Sequence, residues 1–293
     1  MNRILIILLA ASLIYSCSNP TEKTTSEPEI EVDPTEALVD SILWYKKALT
    51  PTDIVSRQIP NITRKEALAI QLEMLKAEQA EGKKLIGYKM GGTVVPDSAS
   101  FDPVYGYMLD SNIIEEDSTV LAQNFYGGSV MVEGEVGFAV KRDFKDGVAS
   151  MEELKEGVDY VFNAIEFVNN FAIPIEGQPE SATLSHVAAA GLNHCGIIIG
   201  QGRASVDDFD FENEKVVCYI DGELKAEGGS FNIYGNPLNA LYGLINVLSE
   251  NGSYLRKGDI VITGSLYQNP LIDSTSAVSV KFSTLGDISF KMK

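Results

Sequence analysis

The chain has 293 residues, of which 45% are hydrophobic, enough for a large buried core in one big domain or two small ones. It carries 41 acidic against 23 basic residues, a net charge of −18, which excludes nucleic acid as a partner because phosphate backbones demand a basic face. A small anionic substrate stays open, since a bound metal ion inverts local charge.

Met1–Arg3 is a short basic start, and Ile4–Tyr15 is a run of 12 almost wholly apolar residues. That is too short to cross a bilayer, where a helix needs about 20 residues, but it fits the apolar region of a signal peptide. Leu13-Ile14-Tyr15-Ser16-Cys17 is similar to a bacterial lipobox, with a bulkier Tyr15 than that motif prefers. The resemblance implies cleavage before Cys17 and lipidation of its sulfur, with residues 1–17 removed or modified as a leader. Residues 18–34 hold Pro20, Pro28 and Pro34 and five acidic side chains, with too little apolar surface to offset the entropy of ordering. They are expected to be a charged tether between a membrane anchor and a domain spanning 35–293. No later segment is long and apolar enough to span a membrane. Cys195 and Cys218 could pair in an oxidising compartment, although nothing requires it.

Glu36–Leu49 has apolar residues at helical spacing: Ala37, Leu38, Ile42, Leu43, Tyr45 and Leu49. Thr63-Arg64-Lys65-Glu66 reads as a capping box opening a helix to about Glu81, stopped by Gly82. These segments make residues 35–82 a helical layer. From residue 83 onward the pattern changes to short strands and turns, with strands expected at Lys84–Met90, Gly134–Val140, Tyr160–Val168 and Gly196–Gly200. Val216–Ile220 and a strand from Leu224 are joined by Asp221-Gly222, a strong hairpin signal. Asn236–Glu250 returns to helical spacing and ends near Asn251-Gly252. Asp259–Thr263, Ala277–Phe282 and Ile288–Lys291 close the chain as strands. No internal repeat is visible. A helical layer before a mixed, mostly antiparallel sheet indicates an α+β fold.

The strongest local chemical signal is Val132-Glu133-Gly134-Glu135-Val136. On a strand, Glu133 and Glu135 point to one face. Adjacent carboxylates repel unless they are exposed, protonated or bridged by a cation. Apolar Val136, Phe138 and Val140 follow, which places Glu135 near the core. Glu166, inside Ala164-Ile165-Glu166-Phe167-Val168, is a charged residue in an apolar strand and needs a partner. Three carboxylates would make a hard oxygen site suited to Mg²⁺ or Mn²⁺. On the residues alone, an exposed acidic strand remains the alternative. Lys89, at a glycine-flanked strand end, could equally be a solvated surface charge.

Leu85-Ile86-Gly87-Tyr88-Lys89-Met90-Gly91-Gly92-Thr93 resembles the GYKIGLT segment of 2-keto-4-pentenoate hydratases, a family of the fumarylacetoacetate hydrolase superfamily. Ala67-Leu68-Ala69-Ile70-Gln71 is similar to their AYAIQ helix, and Pro103-Val104-Tyr105-Gly106 to their PDYG turn. Glu133-Gly134-Glu135 matches their E-x-E, Ala164-Ile165-Glu166 their ALE strand, and Gly258–Leu266 their late G-x-SGSL segment. Six matches run in order from Ala67 to Leu266, most of the folded part. The resemblance implies a helical layer followed by a β-roll or sandwich, and a divalent metal, Mg²⁺ or Mn²⁺, on Glu133, Glu135 and Glu166. It implies Lys89 as the acid/base group, Tyr105 and Ser265 facing substrate, and a homo-oligomer. A 2-oxo acid offers a carboxylate and a keto oxygen that can chelate one ion, which as a Lewis acid stabilises the enolate. A lysine with a lowered pKa could move the protons.

The chain departs from that pattern at Val104, where the family has an acid, with Asp102 shifted by two positions. In Ala190-Gly191-Leu192-Asn193-His194-Cys195-Gly196 the acid and amide of the family's DNxS segment have become Ala190 and Gly191. His194 and Cys195, as strand neighbours, should face opposite sides and form no dyad. His186 reads as a helix or loop residue. Three functions follow: a hydratase or decarboxylase of 2-oxo acids, a tethered 2-oxo acid binder without turnover, and an acylpyruvate-type hydrolase. Burial of Lys89 within reach of the metal would favour an enzyme over a binder. A histidine near the metal would favour the hydrolase.

Overall fold

The computed structural model describes residues 34–94, 104–177, 180–274 and 276–293. Cys17, the lipobox-like segment, residues 18–33, Asp102 and Pro103 lie outside them. The elements run α1 (Pro34–Lys47), α2 (Ile54–Gln58), α3 (Arg64–Ala80), β1 (Leu85–Gly91), β2 (Val104–Leu109), β3 (Thr119–Val120), β4 (Val130–Val140), α4 (Met151–Gly157), β5 (Val158–Val168), α5 (Glu180–Ala189), β6 (His194–Ala204), β7 (Lys215–Ile220), β8 (Glu223–Gly229), α6 (Pro237–Glu250), β9 (Ile260–Ile262), β10 (Leu271–Ile272), β11 (Ala277–Phe282) and β12 (Gly286–Met292).

Local chemistry explains most boundaries. The Thr63 side chain accepts from the Glu66 N–H while Glu66 accepts from the Thr63 N–H, so two orphan donors of α3 are satisfied. Asn236 caps α6 through the Leu238 N–H, with Pro237 in the first turn. Asp221 and Gly222 both take positive φ, as the tight turn between β7 and β8 requires. α1 starts at Pro34 and stops at Lys47, two residues short of expectation, because Leu49 turns left-handed and exposed.

Seven strands form one sheet in the order β2-β1-β9-β4-β5-β6, with β10 added to β4; five form a second, β3-β12-β11-β7-β8. The β1–β9 and β3–β12 pairs are parallel and the rest antiparallel. Phe167 of β5 meets Phe290 of β12 edge-on at 5.1 Å, so the two sheets share a core. The class is α+β, mixed and mostly antiparallel, as expected.

Helices are not confined to residues before 83. α4 and α5 were not legible as helices, and α5 packs on α3. Gln71 of α3 donates to the carbonyls of both Tyr105 and Ala188, tying β2 and α5 to that helix. The Val104–Gly106 stretch is the start of strand β2 rather than a turn. Gly106 sits there because an added Cβ would lie 2.7 Å from the Gly191 oxygen and 3.4 Å from Lys89 Cδ. Among the described residues no helix is long and apolar enough to cross a membrane.

Candidate metal centre

The register of β4 on β5 builds the centre. Glu133 lies directly opposite Glu166, and Glu135, two residues along β4, points to the same face. One carboxylate oxygen from each falls within 4.8 Å of the others. Glu135 and Glu166 are fully buried and Glu133 is 8% exposed. This is no solvated acidic strand.

Each carboxylate has its own support. Glu135 Oε2 accepts the Gly264 backbone N–H at 2.6 Å, from the loop after β9. Glu133 Oε1 accepts from the Asn269 amide. Glu166 Oε1 takes two donors, Lys89 Nζ at 3.2 Å and His194 Nδ1 at 2.8 Å. Lys89 is 4% exposed on β1, and Gly106 leaves room for its stem. The buried lysine and its carboxylate sustain one another, since neither could be held alone without a desolvation cost of several kcal/mol.

Burial raises the Glu133 carboxyl to about 7, aided by repulsion from Glu166 and opposed by Lys89 and Asn269. Burial and then the charges of Glu166 and Glu133 push Glu135 well above the ordinary range. Burial also acts on Glu166, but Lys89 and His194 outweigh it and hold that group low. The sequence predicts a lowered lysine pKa, and the structure reverses that: Lys89 is raised. Burial pulls it down, but three surrounding carboxylates overcome this and raise it. Burial lowers His194, against the pull of Glu166.

These residues fit a divalent cation. Three carboxylates and one ammonium leave a net buried charge of two negatives, which a divalent ion cancels. Glu135 Oε1 and Glu166 Oε2 are buried and receive no donor from the chain, so each has lone pairs to offer. All candidate ligands are oxygens, the preference of Mg²⁺ and Mn²⁺.

The other site expectations fare differently. Ser265 follows Gly264 and so sits beside the cage, half-buried, its hydroxyl donating to the Tyr267 carbonyl at 2.8 Å. Tyr105 does not join it. Lys89 pairs with Gly106 across β1 and β2, so Tyr105 turns to the opposite face, where it meets Tyr88 edge-on at 5.6 Å. There it lines a cavity of about 290 Å³ with Leu68, Leu72, Tyr88 and Tyr107. Cys195 and Cys218 are both free. The Cys195 thiol donates to the Phe167 carbonyl and burial raises its pKa, so it forms no nucleophilic pair with His194. His186 bonds the Ile59 carbonyl at 2.9 Å, a structural contact. His194 is the residue that sequence reasoning missed. Gly264 and Asn269 were equally unmarked, since a backbone donor and a distant amide leave no local pattern.

No protein-family model matches the chain. It is 24% identical over 238 residues to 4-oxalocrotonate decarboxylase of Pseudomonas putida, covering 80% of this chain and 88% of the relative. It is 25% identical over 243 residues to 2-oxo-hept-4-ene-1,7-dioate hydratase of Escherichia coli, covering 80% and 89%. The fold superposes on 4-oxalocrotonate decarboxylase from Pseudomonas putida G7, a structure complexed with magnesium and adipate, with a TM-score of 0.80 at 22% identity. That match spans 88% of this chain and 97% of the other, and it establishes that the two share a fold.

Proposed function

We propose that this protein is a divalent-metal-dependent lyase acting on 2-oxo acids, of the hydratase or decarboxylase type. The observation that carries the reading is the buried ring of Glu133, Glu135 and Glu166 with an ammonium at its edge. The named activities of the decarboxylase and hydratase relatives, and the magnesium of the solved decarboxylase, support it. Glu133, Glu135 and Glu166 would hold Mg²⁺ or Mn²⁺. When bound, the ion would supply Lewis acidity toward the carboxylate and keto oxygens of the substrate.

The chain's own residues do the rest. Lys89, buried and charged, would carry a proton to or from the carbon skeleton beside the keto group. Its place within the cage favours turnover over mere binding, since a binder has no use for a buried, costly ammonium. Ser265, beside the Gly264 that fixes Glu135, would face the ligand. Hydration and decarboxylation make the same demands on this cage, and both are retained. The presence of His194 at the cage favours a second reading, an acylpyruvate-type hydrolase, in which an imidazole would assist water.

Calorimetric titration of Mn²⁺ and then oxalate into the protein tests the reading, with Glu135→Gln alongside. Oxalate binding that requires Mn²⁺ and disappears in the variant is expected. Metal-independent binding, or none, would refute it. A turnover screen of 2-hydroxydienoates, 4-oxalocrotonate-like acids and acylpyruvates then separates lyase from hydrolase. We further propose that Cys17 is lipidated and tethers the domain to a membrane outside the cytoplasm, on the strength of the lipobox-like Leu13–Cys17 segment. Mass spectrometry of the N-terminal peptide from native membranes would show a diacylated Cys17; an intact Met1 would sink that proposal.

A further inference from the structure

His194 has no part in the lyase chemistry proposed above, yet a bulge in β6 brings it to Glu166. Along β5 and β6, Glu166 pairs with Ile197 and Phe167 with Gly196, but Val168 pairs with His194 instead of Cys195. One residue of β6 is therefore extra. A regular ladder would put His194 on the face away from Glu166; this bulge shifts the alternation by one and brings it to the face that Glu166 and Val168 share.

The backbone entering the bulge is strained as well. Gly191, Leu192 and Asn193 take φ of 81°, 55° and 58° in succession, a left-handed stretch that glycine enters freely and leucine does not. Such strain persists only where the surroundings impose it. Asn193 supplies the anchor: its side-chain oxygen accepts the Ala172 N–H at 2.8 Å and its carbonyl accepts the Asn169 N–H at 3.0 Å. The outcome is an imidazole only 5% exposed, with Nδ1 2.8 Å from Glu166 Oε1.

An ionised carboxylate only accepts, so Nδ1 carries the hydrogen, and Nε2, buried and without a partner, holds the lone pair. Lys89 bonds the same oxygen. Two donors fix Oε1 and leave Oε2 as the unclaimed ligand atom. We propose that His194 is a positioning residue for the cation: its Nδ1–H pins Oε1 of Glu166 and thereby presents Oε2 to the metal. This rests on the metal reading above and deepens it.

The test is Mn²⁺ calorimetry on the full chain for the wild type, His194→Asn, His194→Gln and His194→Ala. Asparagine sets its amide near the Nδ1 position, whereas glutamine sets it near Nε2. His194→Asn should keep the Mn²⁺ dissociation constant within about threefold, and the other two should weaken it by about 10- to 100-fold, the usual loss when a ligand's hydrogen-bond partner is removed. Equal binding by all four proteins, or His194→Asn as weak as His194→Ala, would overturn the proposal while leaving the metal site intact. A wild type that binds no Mn²⁺ would overturn the metal reading and this one with it. Long-range ¹⁵N–¹H spectra of the metal-free wild type give a readout that needs no variant to fold. The Nδ1–H tautomer is expected, and an Nε2–H tautomer would overturn the assignment.

Discussion

If a divalent ion and protons compete for the same carboxylates, metal affinity must climb steeply with pH. In the metal-free protein the two surplus negative charges are relieved by protonation of Glu133, raised to about 7, and of Glu135, raised well above the ordinary range. A metal must displace those protons. The sign follows: lowering the pH through 7 protonates Glu133 and weakens binding. From pH 6 to pH 8, Glu133 alone passes from about nine-tenths protonated to about one-tenth, which tightens the apparent dissociation constant about tenfold, or about 1.4 kcal/mol. Glu135, pushed up by burial and by the charges of Glu166 and Glu133, adds to this in the same direction. The share of the proton release that Glu133 supplies should accordingly fall from about nine-tenths of a proton per ion at pH 6 to about one-tenth at pH 8. Calorimetry in buffers of different ionisation enthalpy reads both quantities together. A dissociation constant flat from pH 6 to pH 8, with no proton released, would refute the argument that burial and mutual repulsion hold these acids protonated.

Three further outcomes follow from the same geometry. In EDTA, the raised Glu133 holds a proton in the folded state that the unfolded chain sheds at about 4.5, so stability should fall as pH rises between those values, by about 3 kcal/mol in full. His194, lowered by burial, acts in the opposite sense below its ordinary value. The effect is therefore read as the wild-type minus Glu133→Gln difference in calorimetric melting, and identical slopes for both proteins would count against it. Lys89→Met should leave Mn²⁺ binding as tight or tighter, because the ammonium repels the cation, while destabilising the metal-free protein by about 3 kcal/mol and cutting turnover at least about 100-fold. Weaker Mn²⁺ binding would contradict the charge balance. Gly134→Ala would set a Cβ 2.7 Å from the Tyr267 ring and 3.1 Å from Val280 Cγ1, costing about 1–3 kcal/mol of stability in a thermal melt.

What could be read from sequence was local, and what could not was a matter of register. The α3 capping box is written in Thr63 and Glu66, and the β7–β8 hairpin in Asp221-Gly222, because both depend on residues a few positions apart. Glu133 and Glu135 share a face for the same reason, and Gly134 between them follows from Tyr267 and Val280 lying against the strand. That Glu166 faces Glu133 depends on the pairing of two strands whose residues lie far apart in sequence, and family resemblance, not periodicity, supplied it. β2 reads as a turn because Pro103 and Gly106 are turn residues, and only the stem of Lys89 and the Gly191 carbonyl show why a glycine belongs in a strand there.

The histidine makes the point most sharply. Strict alternation assigns His194 and Cys195 to opposite faces and leaves open which faces the acids. A single unpaired residue in β6 decides it. The sequence carries no mark of that bulge beyond Gly191-Leu192-Asn193, where glycine and asparagine tolerate the left-handed turn and Leu192 is forced to follow. A fold that accepts a strained leucine next to a buried acid cluster must recover the cost elsewhere. Asn193 anchors the stretch through Ala172 and Asn169, and the contact it delivers is the one between the imidazole and Glu166, a carboxylate that Glu133 and Glu135 of β4 and Lys89 of β1 already approach within the same sheet.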